Sequence, residues 1–214
     1  MTEQGTEEWF AARLGKITSS RVKDVMAKGR SGAVSATRKN YLTELLCQRL
    51  TGKREEGYTS GAMQRGTDME PLARAAYEVM SNSMVTEAEF VTHPDYPFTG
   101  SSPDGYVRDC ITGEGGLIEI KCPNTATHIA CIQSGKHDSK YEWQMQHQMF
   151  CTGSGWCDFA SFDDRLPEPL QLFVSRVHRD EVKILDMLEQ IKGFEEELHA
   201  LHVEMLTVME KDND

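Results

Sequence analysis

Apolar residues recur every three or four positions over residues 5–80, and this spacing predicts that the N-terminal part of the chain is helical. Ser19 or Ser20 stands where a side-chain oxygen would cap one of these helices, and Gly52 stands where a left-handed residue would end another. The run from Thr67 to Glu70 has the pattern of a capping box at the start of a further helix. The apolar faces of the predicted helices consist of Trp9, Phe10 and Leu14; Val22, Val25 and Met26; Tyr41, Leu42, Leu45, Leu46 and Leu50; and Leu72, Ala76, Val79 and Met80.

From residue 84 the pattern changes to short apolar or alternating runs, which are typical of β-strands. Residues 109–116 contain three glycines and predict a hairpin connection. Helical spacing returns over 139–152 and again in a long amphipathic helix from about residue 179 to 209. The predicted strands cover 84–91, 98–101, 105–108, 117–121, 157–162 and 170–177. The apolar face of the final helix consists of Val182, Leu185, Leu188, Ile191, Leu198, Leu201, Met205 and Val208.

Strands that follow and alternate with helices predict an α/β fold, with a central mixed β-sheet flanked by helices. The chain has 214 residues, of which 39% are hydrophobic and 27% charged, so it is long enough to bury a core without disulfides. We expect a single domain over residues 1–214.

The chain shows none of the segments that direct a protein to a membrane. No apolar run approaches the roughly 20 residues that cross a bilayer, and the first residues lack the basic and apolar regions of a secretory signal. We therefore expect a cytoplasmic protein with no membrane partner. None of the six cysteines forms a C-x-x-C pair, which argues against a zinc or iron–sulfur cage and predicts reduced, mostly buried thiols.

The net charge of −11 argues against nucleic acid only until its distribution is considered. Residues 1–60 carry 11 basic and 7 acidic residues, a net charge of +4, and the stretch 13–39 contains eight basic residues beside the single acid Asp24. Phosphate groups respond to the local field and not to the total charge. The charge distribution alone still favours a solvated basic face at 13–39. Whether the protein acts on nucleic acid therefore has to be inferred from the chemistry of specific residues.

Asp104, Glu119 and Lys121 form the pattern that carries chemistry. Along the predicted strand 117–121 the side chains alternate, so Glu119 and Lys121 share one face. A hairpin can bring Asp104 opposite Glu119, and two carboxylates at one point suit Mg²⁺. Such a metal polarises a phosphoryl oxygen, while a neighbouring ammonium orients a water or stabilises developing charge. The competing interpretation is structural, because a Glu-x-Lys strand is common at sheet surfaces.

The two motifs together resemble a known signature. Ser-Pro-Asp-Gly at 102–105, followed by Glu-Ile-Lys-Cys-Pro at 119–123, resembles the pattern of PD-(D/E)XK nucleases. More narrowly, the chain is similar to the phage lambda exonuclease family of phage-type alkaline exonucleases from about Trp9 to the end of the final helix. This similarity implies a restriction-endonuclease-like core. The matching blocks are 13–18, 27–32, 66–70, 102–105, 119–123 and 144–149.

The resemblance implies a role for individual positions. Asp104 and Glu119 would bind Mg²⁺ (which Mn²⁺ can replace), with the Ile120 carbonyl as a further ligand, and Lys121 would serve the nucleophilic water. The remaining implied site residues are Glu70 and Gln144 near the metal; Arg13, Ser20 and Ser102 around a terminal 5′-phosphate; and Arg30 and Met63 as further DNA contacts. The wider RecB-type nucleases often carry Tyr four residues after the active-site glutamine, where this chain has Gln148.

As a whole, the resemblance implies a Mg²⁺-dependent 5′→3′ exonuclease that acts on double-stranded DNA ends, releases mononucleotides and leaves 3′ overhangs for phage-type recombination. It also implies a ring-shaped homotrimer and a single-strand annealing protein as partner. Two alternatives stay open: a site-specific endonuclease on the same core, and a DNA-binding module without catalysis.

Overall fold

The computed structural model describes residues 4–29, 33–54, 57 and 60–211. Its helices are α1 (Glu7–Arg13), α2 (Val22–Val25), α3 (Ala36–Thr51), α4 (Gly61–Ser81), α5 (Thr125–Ser134), α6 (Glu142–Thr152) and α7 (Glu181–Lys211). Its strands are β1 (Ile17–Thr18), β2 (Ser83–Thr86), β3 (Val91–Thr92), β4 (Thr99–Ser101), β5 (Gly105–Asp109), β6 (Gly115–Lys121), β7 (Trp156–Phe162) and β8 (Leu172–His178). Short 3₁₀ turns include Ser19–Arg21 and Ser139–Tyr141.

The main sheet of the described chain has the strand order β2-β5-β6-β7-β8. β6 and β7 run parallel, and the other neighbouring strands run antiparallel. A parallel pair needs a crossover connection, which α5 and α6 supply between β6 and β7. The predicted α/β fold with a mixed sheet and flanking helices is therefore confirmed.

Each face of the main sheet is covered by helices. Ala73 and Tyr77 of α4 pack on the face that carries Ile118 and Ile120. On the opposite face, Met145 and Met149 of α6 and Cys131 of α5 pack on Leu117 and Phe159. A smaller sheet of order β1-β4-β3 packs against α6 on the side where α2, α3 and α7 form a helical core. Helix α6 thus lies between the two sheets.

Three helix ends test the capping residues that the sequence predicted. Gly52 ends α3 in the left-handed region, with φ of 65°, as predicted. The capping box at Thr67 is wrong, because α4 begins six residues earlier and its cap is Ser60, whose hydroxyl accepts from the Met63 amide. Neither Ser19 nor Ser20 caps a helix, since the 3₁₀ turn that they begin follows Thr18 without a side-chain cap.

The predicted apolar face of α4 is wrong at three of its four residues. Leu72, Val79 and Met80 are exposed, Val79 by 86%, whereas Ala76 packs against the core. The helix instead buries Ala73 and Tyr77, because the Tyr77 hydroxyl donates to buried Asp158 at 2.7 Å and so satisfies its polar end inside the core. The predicted face of the final helix is confirmed at Ile191 and Leu198, which are buried, and at Leu188 and Leu201, which pack against the core. It is wrong at Val182, Leu185 and Val208, which are exposed. The residues of α7 that are buried are Ile184, Met187, Ile191, Phe194 and Leu198.

Other differences concern the strands and the inter-strand helices. The predicted strand 84–91 is two separate strands, β2 and β3, which belong to different sheets. β1 interrupts the predicted helical region, and α5 has no counterpart in the prediction. Three of the six cysteines are buried, all six are free, and none of the described helices is long and apolar enough to cross a membrane.

Candidate active site

Asp104 and Glu119 meet at the end of the β5–β6 hairpin. The hairpin register pairs Gly105 with Ile118, so Asp104 falls beside Glu119 on the neighbouring strand. The Ile120 amide donates to Asp104 Oδ2 at 2.7 Å, which fixes the Asp104 carboxylate. Gly105 is required here, because a Cβ at that position would lie 2.4 Å from Val85 Cγ1 on β2. The structure therefore places Asp104, Glu119 and Ile120 together, as the motif predicted.

Glu119 is held from two sides in a fully buried position. Gln144 Nε2 donates to Glu119 Oε1 at 2.5 Å, and Gln148 Nε2 donates to Oε2. Both amides lie on α6, one helical turn apart, so a single helix face orients the carboxylate. Gln144 is where the resemblance placed it, whereas Gln148 was noted only as a departure from the tyrosine of related nucleases.

Lys121 lies between the two carboxylates. Its Nζ contacts Glu119 Oε1 and is 3.9 Å from Asp104 Oδ2. Burial raises the pKa of Asp104, and the negative charge of Glu119 contributes to that rise. Burial by itself lowers the pKa of Lys121, but the charges of Glu119 and Asp104 outweigh it and raise this pKa above its usual value. Lys121 therefore stays positively charged at neutral and mildly alkaline pH.

The donor set suits a hard divalent cation. Asp104 and Glu119 supply carboxylate oxygens to a point where a positive charge, the Lys121 ammonium, already lies between them. Within the described residues no group of three or more His, Cys, Asp or Glu side chains is arranged to hold a metal ion. Two carboxylates are nevertheless enough for Mg²⁺, which keeps several waters and completes its octahedron with substrate phosphates.

Glu70 approaches Asp104 from α4. Arg74 Nη2 donates to Glu70 Oε1 at 2.9 Å and to the Asp104 carbonyl oxygen at 3.3 Å, so Arg74 ties α4 to the carboxylate strand. Glu70, Arg74 and Asp104 line one side of a cleft of about 780 Å³. Sequence reasoning missed Arg74, although its position four residues after Glu70 is the spacing of a helical ion pair.

Arg13 lies at a second cleft and contacts Ser102 beside it. Arg13 Nη1 donates to Ser102 Oγ at 3.4 Å, and the guanidinium lies 4.0 Å from the centre of the Trp9 ring. Trp9 Nε1 also donates to Ser102 Oγ, at 2.9 Å. Arg13 and Ser20 both line this cleft of about 370 Å³. Arg13 thus lies near each of the two serines that the resemblance assigned with it to a 5′-phosphate.

The electrostatics of the second cleft favour an anion. Burial lowers the pKa of Arg13 to about 10, and no carboxylate of the described residues forms an ion pair with it. Lys16, Arg21 and Arg54 line the same cleft, as does Glu44, whose carboxylate pairs with Arg21. A phosphate there would supply a counter-charge for Arg13, because a planar guanidinium can donate to two phosphate oxygens at once.

Met63 and Arg30 complete the predicted set. Met63 is 60% exposed and, together with Phe10 and Arg54, lines both clefts, so these three side chains form the ridge between them. Arg54 lies 4.0 Å from the centre of the Phe10 ring. Arg30 lies outside the described residues.

Known proteins similar to this chain identify its family. The chain belongs to the family of YqaJ-like viral recombinase domains, whose model matches residues 8–155. It is similar to the crystal structure of an alkaline exonuclease, LHK-Exo, from Laribacter hongkongensis, with 50% identity over 96% of this chain and 99% of that chain and a TM-score of 0.87. The structure of LHK-Exo in complex with dAMP matches equally well.

A more distant likeness concerns the fold alone. A phage-related exonuclease from Haemophilus somnus 129PT is 18% identical over 89% of this chain and 96% of that chain, with a TM-score of 0.68. No curated protein matches the chain. The resemblance to the phage-type alkaline exonucleases is confirmed, and the findings support a phage-type exonuclease. The roles of individual residues stay predictions.

Proposed function

We propose that this protein is a Mg²⁺-dependent 5′→3′ exonuclease that degrades one strand of a DNA duplex end to mononucleotides and leaves a 3′ overhang. The observation that carries the proposal is the pairing of two sites. Asp104, Glu119 and Lys121 converge at the end of the β5–β6 hairpin, and Asp104 lines the cleft there. In the neighbouring cleft Arg13, which has no carboxylate partner among the described residues, lies with Ser20 and donates to Ser102.

The residues of the first cleft suit phosphodiester hydrolysis. Asp104 and Glu119 would hold Mg²⁺, with the Ile120 carbonyl as a further ligand. When bound, the metal would polarise a phosphate oxygen and lower the pKa of a bound water. Lys121 is best suited to orient that water and to stabilise the negative charge of the transition state, because its raised pKa keeps it protonated and unfit as a base. Mn²⁺ would replace Mg²⁺, since both prefer oxygen ligands.

The second cleft supports the polarity of digestion. A terminal 5′-phosphate bound by Arg13, Ser20 and Ser102 would anchor the strand so that the first phosphodiester reaches the carboxylates, which is an orientation effect. Binding of dAMP by the similar protein LHK-Exo supports a family site for nucleoside monophosphates. Met63, on the ridge between the clefts, is placed to contact DNA where the strands separate. Arg30 is proposed as a DNA contact from the resemblance.

The proposed setting of this activity also follows the family resemblance. We propose a single nuclease domain that assembles as a homotrimeric ring around DNA, works in the cytoplasm of a bacterial host and hands its 3′ overhangs to a single-strand annealing protein. The match to a viral recombinase family supports a role in recombination.

Digestion of linear duplexes tests the proposal. A strand labelled at its 5′ end should release labelled mononucleotide first, and a 5′-phosphorylated end should be digested faster than a 5′-hydroxyl end. Arg13→Ala should bring the rate on the phosphorylated end down to that on the hydroxyl end. Arg38→Ala is the matched control, since Arg38 pairs with Glu197 outside both clefts and should leave the ratio of rates unchanged.

Other outcomes would replace the proposal. Cleavage of closed circular DNA would identify an endonuclease. Progressive shortening of the 5′-labelled strand would reverse the polarity. Absence of cleavage with both Mg²⁺ and Mn²⁺ would leave a DNA-binding module. An unchanged ratio in Arg13→Ala would show that Arg13 acts only in the structure, for instance as a cation in the last turn of α1.

A further inference from the structure

His147 is a fully buried histidine whose two ring nitrogens both bind hydroxyl groups. Its Nδ1 lies 2.7 Å from Ser19 Oγ, and its Nε2 lies 2.8 Å from Thr99 Oγ1. Neither partner is on the helix that carries His147, α6. Ser19 belongs to the 3₁₀ turn after β1, and Thr99 begins β4.

The hydrogen bonds of Thr99 determine which nitrogen carries the proton. A hydroxyl has one proton, and Thr99 Oγ1 donates it to the Ile17 carbonyl oxygen at 2.8 Å. Thr99 must therefore accept from His147 Nε2–H, which leaves Nδ1 without a proton, so that Nδ1 accepts from the Ser19 hydroxyl. The result is one directed chain of hydrogen bonds from Ser19 through His147 and Thr99 to Ile17.

This chain connects the surroundings of Arg13 with those of Glu119. Ser19 directly precedes Ser20, which lines the arginine cleft, and Thr99 stands three residues before Ser102, whose hydroxyl accepts from Arg13. His147 also lies on α6 between Gln144 and Gln148, which hold Glu119. One imidazole thus joins both serine-bearing segments to the helix that orients Glu119, the carboxylate beside Asp104.

We propose that His147 is a positioning residue that sets the distance between the 5′-phosphate cleft and the catalytic carboxylates. The proposal rests on the proposed function, because that distance matters only if a terminal phosphate anchors the strand for cleavage. His147 itself contacts neither cleft, so it acts through Ser19, Thr99 and α6.

The surroundings of His147 keep it in the neutral form that this role needs. Cys151 Sγ lies 3.7 Å from Nδ1, and the Phe150 ring lies 6.0 Å away. Burial and, to a smaller extent, the neighbouring His93 lower the pKa of His147 to about 3. A neutral ring offers one donor and one acceptor, which are the two groups that Thr99 and Ser19 require.

The test compares rates at saturating duplex on 5′-phosphorylated and 5′-hydroxyl ends. His147→Leu removes both hydrogen bonds and should lower the ratio of the two rates on the order of tenfold, because small misplacements of an anchored substrate are costly. His147→Gln keeps one donor and one acceptor and should restore most of the ratio. Ser19→Ala and Thr99→Val, which each remove one end of the chain, should lower the ratio without altering the ring.

A second buried histidine supplies the control. His128 binds Ser161 Oγ at 2.7 Å and the Leu170 carbonyl oxygen at 2.8 Å, and it is equally buried, but it lines neither cleft. His128→Leu should cost comparable stability and leave the ratio unchanged, because loss of folded enzyme lowers both rates by the same factor.

The outcomes separate this proposal from the proposed function. If the wild-type enzyme does not prefer phosphorylated ends, the phosphate cleft is wrong and this proposal is overturned with it. If the wild type shows the preference and Arg13→Ala removes it, but Ser19→Ala, Thr99→Val and the His147 variants keep it, only the role of His147 is overturned. An equal loss of the ratio in His128→Leu would overturn it as well.

Discussion

At the scale of single residues, hydrogen bonds within the protein hold the carboxylates of the site in position. Glu119 accepts hydrogen bonds from two glutamines, and the backbone amide of Ile120 fixes Asp104. Because these hydrogen bonds orient the carboxylates before a substrate binds, the groups need little reorganisation to stabilise charge in a transition state. The lysine between the carboxylates is the most direct place to measure it.

Lys121→Ala is expected to lower kcat by about 10²-fold or more while leaving the KM for DNA nearly unchanged, by analogy with the removal of one preorganised donor. Single-turnover rates at saturating Mg²⁺ measure this. Lys140→Ala is the control, since Lys140 also lies near the Tyr141 ring but pairs with Asp138 at the surface. A near wild-type kcat in Lys121→Ala would show that Lys121 has no catalytic role and is only a surface residue of the sheet.

The buried state of His147 predicts a pH dependence of stability. In the folded protein the pKa of His147 is lowered to about 3, whereas in the unfolded chain this pKa has its ordinary value of 6.5. Between these values the unfolded state binds more protons, so stability falls as the pH falls. From pH 7 to pH 5 this group alone should cost about 2 kcal/mol of unfolding free energy. Urea denaturation at both pH values should show a correspondingly smaller loss in His147→Gln, and an equal loss in both proteins would contradict the prediction.

At the scale of elements, the sequence predicted what depends on local pattern and missed what depends on packing. The β5–β6 hairpin follows from its glycines and alternation, and it already places Asp104 beside Glu119. The hydrophobic pattern did not predict helix α5, because the residues that this helix buries are His128 and Cys131, and a histidine does not count as apolar in such a pattern. Gln148 and Arg74 were missed for a related reason. Their function depends on a partner on another element, which no spacing along the chain reveals.

The start of α4 gives a test that separates the two capping assignments. Ser60→Ala should destabilise the protein by about 1 kcal/mol, because the Met63 amide loses its acceptor. Thr67→Ala, at the position that the capping box indicated, should change the unfolding free energy much less, since Thr67 lies inside the helix and is exposed. Equilibrium unfolding of the two variants under the same conditions would decide, and the opposite ranking would move the helix start to Thr67.

At the scale of the whole molecule, an acidic protein presents a local surface suited to phosphate. The net charge is −11, yet four basic residues and a single acidic one line one cleft: Arg13, Lys16, Arg21, Arg54 and Glu44. The adjoining cleft is lined by Asp104 and three glutamates beside two arginines, so the proposed attraction of the DNA backbone and the proposed binding of a cation fall in neighbouring regions. The ridge of Phe10, Arg54 and Met63 lies between them.

This division predicts that metal removal separates cleavage from DNA binding. Excess EDTA should abolish degradation, while binding of a 5′-phosphorylated duplex, measured by fluorescence anisotropy, should persist through the basic cleft. Added Mg²⁺ or Mn²⁺ should restore degradation in the wild type but not in Asp104→Asn, which has lost one carboxylate. Full activity in EDTA would contradict a metal role for Asp104 and Glu119.

The order of these residues along the chain has a consequence for synthesis. Arg13 and Ser102 hydrogen-bond across 89 residues, whereas Asp104, Glu119 and Gln144 follow one another within the next stretch of sequence. On the ribosome, Arg13 and Ser20 are therefore made well before the carboxylates, and the two amides that hold Glu119 are made after them. A nascent chain that ends before Gln144 lacks both amides and the strands β7 and β8 of the main sheet, so a product truncated there is expected to lack nuclease activity.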